Sequence, residues 1–221
     1  TPQNVTYEAL TEWWMSNGLL YWTYNCSIPV DEFRNAGYAR RQPTSGGTPL
    51  TLASFEREAC INFRSMMADA SGLYYYNGDA SPSHIEFRPS GSPNSPMTIY
   101  NTSGVDGRHI RISGDYLYWI ENHSRIVRVK KDGSDFAEIA TGLTDAYDFV
   151  IVEARQEVYW METSGLWKTN YFCGSLPCNK TFQAAANNGG GLLLVTADFG
   201  NFSIYWPDRG DGGKIVSFFC G

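Results

Sequence analysis

What this 221-residue chain lacks narrows the field first. Charged residues make up only 18% of it, and no block of like charge accompanies the net charge of −6. A nucleic-acid partner, which calls for a basic patch, is therefore not expected. The densest basic run, Arg125 to Lys131, alternates with Ile126, Val127 and Val129 and reads as the solvated face of an outer strand. No apolar run of ~18 residues exists, so membrane insertion is not expected. No segment sustains a helical period. The three histidines, His84, His109 and His123, are scattered and form no paired metal motif. There is no GxSxG and no phosphate-cradling loop. Gly189, Gly190 and Gly191 precede a strand candidate rather than a helix and read as a turn. These absences predict no metal and no cofactor.

Aromatic residues and turn formers are plentiful. Fourteen tyrosines and seven tryptophans accompany 22 glycines, the composition of an all-β protein. The aromatics recur as a motif: Leu20-Tyr21-Trp22, Leu73-Tyr74-Tyr75, Leu117-Tyr118-Trp119, Val158-Tyr159-Trp160 and Ile204-Tyr205-Trp206. The tyrosines step by 53, 44, 41 and 46 residues. A period in the forties marks a propeller or an array.

Other segments repeat in phase with the pair. Strand candidates precede it at Glu12–Ser16, Ile61–Met67, His109–Ser113, Phe149–Glu153 and Leu192–Asp198. Alternating segments follow it around Tyr38–Arg40, Ile85–Arg88, Ile126–Arg128, Leu166–Lys168 and Ile215–Ser217. A fourth run closes four units at Leu50–Ala53, Met97–Tyr100, Ala137–Ala140 and Phe182–Ala185. Four short strands per unit describe one propeller blade. The expected fold is one five-bladed β-propeller domain, with blades near 11–53, 60–100, 108–141, 147–186 and 191–221. The last unit has no fourth strand of its own, so Val5–Leu10 is expected to complete it and close the ring.

The third unit reads LYWIE, then RIVRVKKDGSDFAEIATGL, then DAYDFVIV. This resembles the YWTD propeller repeat of the LDL-receptor family, most closely in the third and fourth units. The fourth motif position is Tyr24, Asn77, Glu121, Glu162 and Asp208, acidic in three units. The resemblance implies a structural role for Asp148, which matches the family's inner-strand acid. The family usually has six blades; five are counted here.

Six sequons stand at Asn4, Asn25, Asn101, Asn122, Asn179 and Asn201, where composition alone gives roughly two. With five cysteines they predict a secreted or cell-surface glycoprotein. No signal peptide is visible, and Thr1 reads as the start of a mature chain or an excised domain. Cys173 and Cys178 are predicted to close a hairpin disulfide, and Cys26 to pair with Cys60 across a shared face. Cys220 is left over. Phe218-Phe219-Cys220-Gly221 reads like Tyr171-Phe172-Cys173-Gly174, which gives Cys220 the first position of a second such hairpin. It is then unpaired or intermolecular.

Two features could carry function. The loop from Asn25 to Gly37 contains Asp31, Glu32, Phe33 and Arg34, a candidate binding element. Carboxylates near inner-strand ends, Asp69, Asp115, Asp148, Glu153 and Asp198, could serve a glycosidase, but acids beside Gly, Ala or Ser are ordinary turn residues. The expected function is a non-catalytic extracellular module that binds a protein partner or assembles with itself. The alternative is a lectin that stacks glycans on Trp13-Trp14 or Tyr74-Tyr75-Tyr76; a glycosidase comes third.

Overall fold

The computed structural model describes residues 10–16, 19–24, 37–55, 63–78, 80–90, 92, 95–103, 106–186, 191–196, 201–208 and 213–220. The chain divides into two compact units, Thr1–Ser103 and Gly104–Gly221. Among the described residues every extended element in both is a β-strand.

The first unit holds two four-stranded meanders. One is β1 (Leu10–Ser16), β2 (Leu19–Tyr24), β3 (Gly37–Pro43) and β4 (Leu50–Phe55). The other is β5 (Phe63–Ala68), β6 (Gly72–Asn77), β7 (His84–Pro89) and β8 (Met97–Asn101). The second unit holds three sheets. The first is β9 (Gly107–Ser113), β10 (Tyr116–Glu121), β11 (Arg125–Lys130) and β12 (Ala137–Ala140). Next come β13 (Asp148–Val152), β14 (Glu157–Glu162), β15 (Gly165–Asn170) and β16 (Thr181–Ala185). Last come β17 (Leu193–Thr196), β18 (Phe202–Asp208) and β19 (Lys214–Cys220). In every sheet each strand pairs antiparallel with its neighbour in sequence.

The second unit explains the recurring Tyr-Trp pair. Adjacent residues of a strand point to opposite faces, so the pair serves two cores at once. Tyr118 and Ile120 pack with Val158 and Trp160 in one buried cluster. Tyr159 and Met161 pack with Phe202, Ile204 and Trp206 in the next. The tyrosine of one sheet thus meets the tryptophan of the sheet that follows. In the first unit Tyr74, Tyr75 and Tyr76 are all buried, so this triplet offers no aromatic platform for a sugar.

An irregularity also repeats. In all four four-stranded sheets the third and fourth strands slip register beside the residue opposite the second aromatic. The slips fall at Ala39/Arg40, Ile85/Glu86, Ile126/Val127 and Leu166/Trp167. Such bulges increase local twist.

Two expectations change, and the last sheet has the three strands of its own that were expected of it. Leu10 pairs with Tyr24 as part of β1, so the expected closing segment Val5–Leu10 cannot extend to it; residues 1–9 lie outside the described residues. The fifth sheet has three strands among the described residues. The basic strand β11 is not a solvated face: Ile126, Val127 and Val129 are buried, and so is Arg128. The segment after β15 covers it. The Arg128 guanidinium lies between the rings of Tyr116 (4.5 Å) and Phe172 (4.9 Å) and donates to the Tyr171 carbonyl at 3.2 Å.

Candidate functional site

Asp148 opens β13 with a buried carboxylate. Its Oδ1 accepts from the Arg111 guanidinium of β9 at 3.0 Å and from its own strand at Phe149 N, 2.8 Å. Its Oδ2 accepts from Leu192 N, just before β17, at 2.9 Å. One side chain therefore ties three sheets of the second unit together. This is the structural role that the repeat resemblance implies for it. Charge-assisted bonds of this kind are among the stronger ones in proteins.

His109 also faces this carboxylate, with Nδ1 3.4 Å from Oδ1. It occupies a bulge, where Tyr118 pairs with Arg111 but Ile120 pairs with Arg108. Its φ is 55°, in the left-handed region that few non-glycine residues adopt. The bulge re-aims the ring. Burial, opposed by the Asp148 charge and reinforced by Arg111 and Arg108, holds the imidazole below its ordinary pKa. Beside it, Arg111, Ile112, Val150, Ile151 and Leu192 line an open cleft of ≈ 260 Å³. Periodicity missed this site because a bulge interrupts alternation and leaves no sequence mark. Asp148 alone was legible.

The other carboxylates weighed for catalysis that are among the described residues lie in the connections between first and second strands. Asp69 accepts from the Ser71 amide (2.8 Å) and hydroxyl (2.5 Å). Glu153 accepts from the Ser113 hydroxyl at 2.6 Å. Asp115 is exposed, and its carbonyl accepts from Lys131 N. The remaining two histidines meet acids: His123 lies 3.1 Å from Asp106 and 3.2 Å from Asp145, and His84 lies 3.4 Å from Glu86. Among the described residues no cluster of three or more His, Cys, Asp or Glu is arranged to hold a metal ion.

Cys173 and Cys178 form the expected disulfide, with their Cα atoms 5.9 Å apart. The closed loop exposes Leu176 (38%), with Phe172 (52% exposed) directly before it, and hydrogen-bonds from Cys178 N to the Ile139 carbonyl of β12. Cys220 is free. The register corrects its expected equivalence to Cys173. Trp160 pairs with Trp167, and Trp206 pairs with Val216. Cys220, four residues beyond Val216, therefore matches Tyr171, four beyond Trp167. It is the last rung of β19, opposite Phe202, and its Sγ accepts from Arg155 at 2.8 Å. The likeness of the two FCG stretches is offset from the structural repeat by two residues.

Four of the six sequon asparagines are described. Asn101 ends β8, Asn122 lies in the turn after β10, Asn179 precedes β16, and Asn201 precedes β18. Asn4 and Asn25, Cys26 and Cys60, the loop residues Asp31, Glu32, Phe33 and Arg34, and Asp198 lie outside the described residues. The side chains of Trp13 and Trp14 do as well. No helix among the described residues is long and apolar enough to cross a membrane.

Repeated antiparallel meanders that share aromatic cores define a β-propeller fold, and comparison with solved structures supports it. A crystal structure of a nidogen/laminin complex contains a chain that matches with a TM-score of 0.59 at 15% identity, over 91% of this chain and 72% of that one. KlHsv2 with its loop 6CD replaced by a Gly-Ser linker matches with a TM-score of 0.62 at 10% identity, over 98% and 72%. The computationally designed Ika8 protein matches with a TM-score of 0.61 at 7% identity; it covers 96% of this chain, which spans 58% of Ika8. At these identities the likeness concerns fold alone. No protein-family model matches the chain, and neither does any curated protein.

Proposed function

We propose that this chain is a non-catalytic extracellular β-propeller glycoprotein that serves as a protein-interaction or assembly module. The observation that carries this reading is the loop closed by Cys173–Cys178. It holds Leu176 exposed on a covalently fixed tip, next to Phe172, whose half-exposed ring covers Arg128. Exposed apolar groups on a preorganised loop are suited to a partner, because little conformational entropy remains to be lost on binding. The turn and strut roles of Asp69, Glu153 and Asp148 support binding over catalysis. The disulfide and the sequons support a secretory route. One structurally similar chain comes from a complex of nidogen with laminin, which makes a protein partner the first to test.

Sedimentation velocity tests self-association, and interferometry on immobilised laminin fragments tests partner binding. The change Leu176→Asp is expected to leave the melting temperature unchanged and weaken one of these by roughly tenfold or more. The reading fails if the parent protein does neither. Glycan-array binding in that case would establish the lectin reading, and glycoside hydrolysis the enzyme.

The same proposal takes the five sheets as five blades of one ring, with residues 1–9 supplying the fourth strand of the last. Four sheets already have four strands and the fifth has three among the described residues. Removal of residues 1–9 is then expected to lower the melting temperature, since it bares a sheet edge. An unchanged melting curve would disprove this closure.

A further inference from the structure

Among the described residues the last strand of each four-stranded sheet is paired on one side only. Such an edge offers its N–H and C=O groups to any strand that approaches, and proteins commonly block it with charge. β12 follows this rule: its Glu138 is ion-paired with Arg125, and it exposes no large apolar side chain. β8 and β16 do not. Neither Met97–Asn101 nor Thr181–Ala185 contains a charged residue. They expose Met97 (48%) and Phe182 (47%) instead. β4 is uncharged as well, but Glu56, Arg57 and Glu58 follow it directly in sequence.

Lys180 directly precedes β16, but its ammonium is engaged by the Gly142 carbonyl and by Glu162. The two edges without a free charge in or beside them end on a sequon. Asn101 is the last residue of β8, and Asn179 stands two residues before β16. Both asparagines are exposed. The chain is pinned beside each one. Thr102 donates its amide (2.8 Å) and its hydroxyl (3.0 Å) to the Ser83 carbonyl. The Asn179 carbonyl accepts from the Thr169 hydroxyl at 3.0 Å. Asn122 differs, because its side-chain oxygen accepts from Asp106 N and it lies in a turn rather than on an edge.

We propose that N-linked glycans at Asn101 and Asn179 take the place of edge charge on β8 and β16 and shield both strands from pairing with another chain. A glycan is bulky and hydrated, and at the end of a short strand it covers the side where a foreign strand would add. The inference rests on the secretory reading above and on nothing concerning Phe172 or a partner.

The test expresses the chain behind a heterologous secretion leader in eukaryotic cells. Glycopeptide mass spectrometry should find both sites occupied. The variant Asn101→Gln, Asn179→Gln should aggregate roughly fivefold faster on warming, by light scattering. Addition of Met97→Lys and Phe182→Lys to that variant should restore the parent rate, because a lysine blocks an edge as a glycan does. Retention of the double variant inside the cell, relieved by the same lysines, would also support the proposal. Ser124→Ala, which cancels the sequon at Asn122, should not change the rate. Bare sites, an unchanged rate in the double variant, or no rescue by lysine would overturn it. Occupied, protective glycans on a chain that binds no partner would defeat the interaction module alone. Partner binding with bare sites would defeat only the present inference.

Discussion

Asp148→Ala is expected to lower the stability of the second unit by about 3 kcal/mol, enough to remove much of the stability of an ordinary domain. The carboxylate accepts from Phe149 N, Leu192 N and Arg111. Alanine leaves two main-chain donors and a guanidinium without their acceptor, in a place where Phe149 itself is fully buried. Each stranded buried donor costs about 1–3 kcal/mol. Asp148→Asn keeps one oxygen acceptor but puts an amide NH₂ where a second acceptor is needed, so it should fall between, near 1–2 kcal/mol. Urea titration followed by tryptophan fluorescence measures both. If Asp148→Ala unfolds within about 0.5 kcal/mol of the parent, the carboxylate does not hold the three sheets together.

Gly165→Ala should be comparably damaging for a different reason. Gly165 opens β15 at φ +140°, and an added Cβ would run into the Ala184 carbonyl oxygen and lie 3.0 Å from the Ala185 Cα. Those neighbours are main chain in the paired strand β16 and can yield only if the ladder opens. About 3 kcal/mol or more is expected. Gly142 is the control: it also has a positive φ, +62°, but a Cβ added there would meet nothing within 4 Å. Gly142→Ala should cost only the conformational strain, about 1 kcal/mol. Equal losses at the two positions would show that backbone conformation, not the collision, sets the cost at Gly165.

Much of this fold could be read in the sequence because its signals are local. The Tyr-Trp pairs mark second strands, and alternation on either side marks their neighbours. The strands predicted from these signals overlap those observed in every sheet. Asp148 could be identified because the repeat supplies a reference position for it. What escaped depends on register or on distant chain. The bulge at His109 follows no composition rule. The burial of Arg128 required the Tyr171-Phe172 segment, more than forty positions downstream, to fold over it. Cys220 was matched to the wrong cysteine because similarity of letters gave one alignment, and hydrogen-bond pairing gives another.

Sequential strand pairing also bears on how the chain reaches this state. Among the described residues every ladder joins segments adjacent in sequence, so these strands close only short loops and pair at low entropic cost. The ties between sheets described above join Arg111 to Asp148, Ser113 to Glu153, Arg128 to Tyr171 and Asp148 to Leu192, at separations of 37, 40, 43 and 44 residues. Each spans about one repeat. Contact order stays low for an all-β chain, and a sheet can form during synthesis and wait only for the next forty or so residues to lock it. Cooperativity in the second unit is then of the nearest-neighbour kind, passed from sheet to sheet as in a linear array. Damage at Asp148 should be felt first by its immediate neighbours, and amide hydrogen exchange should show protection lost in β9, β13 and β17 before it is lost in β11 or β12.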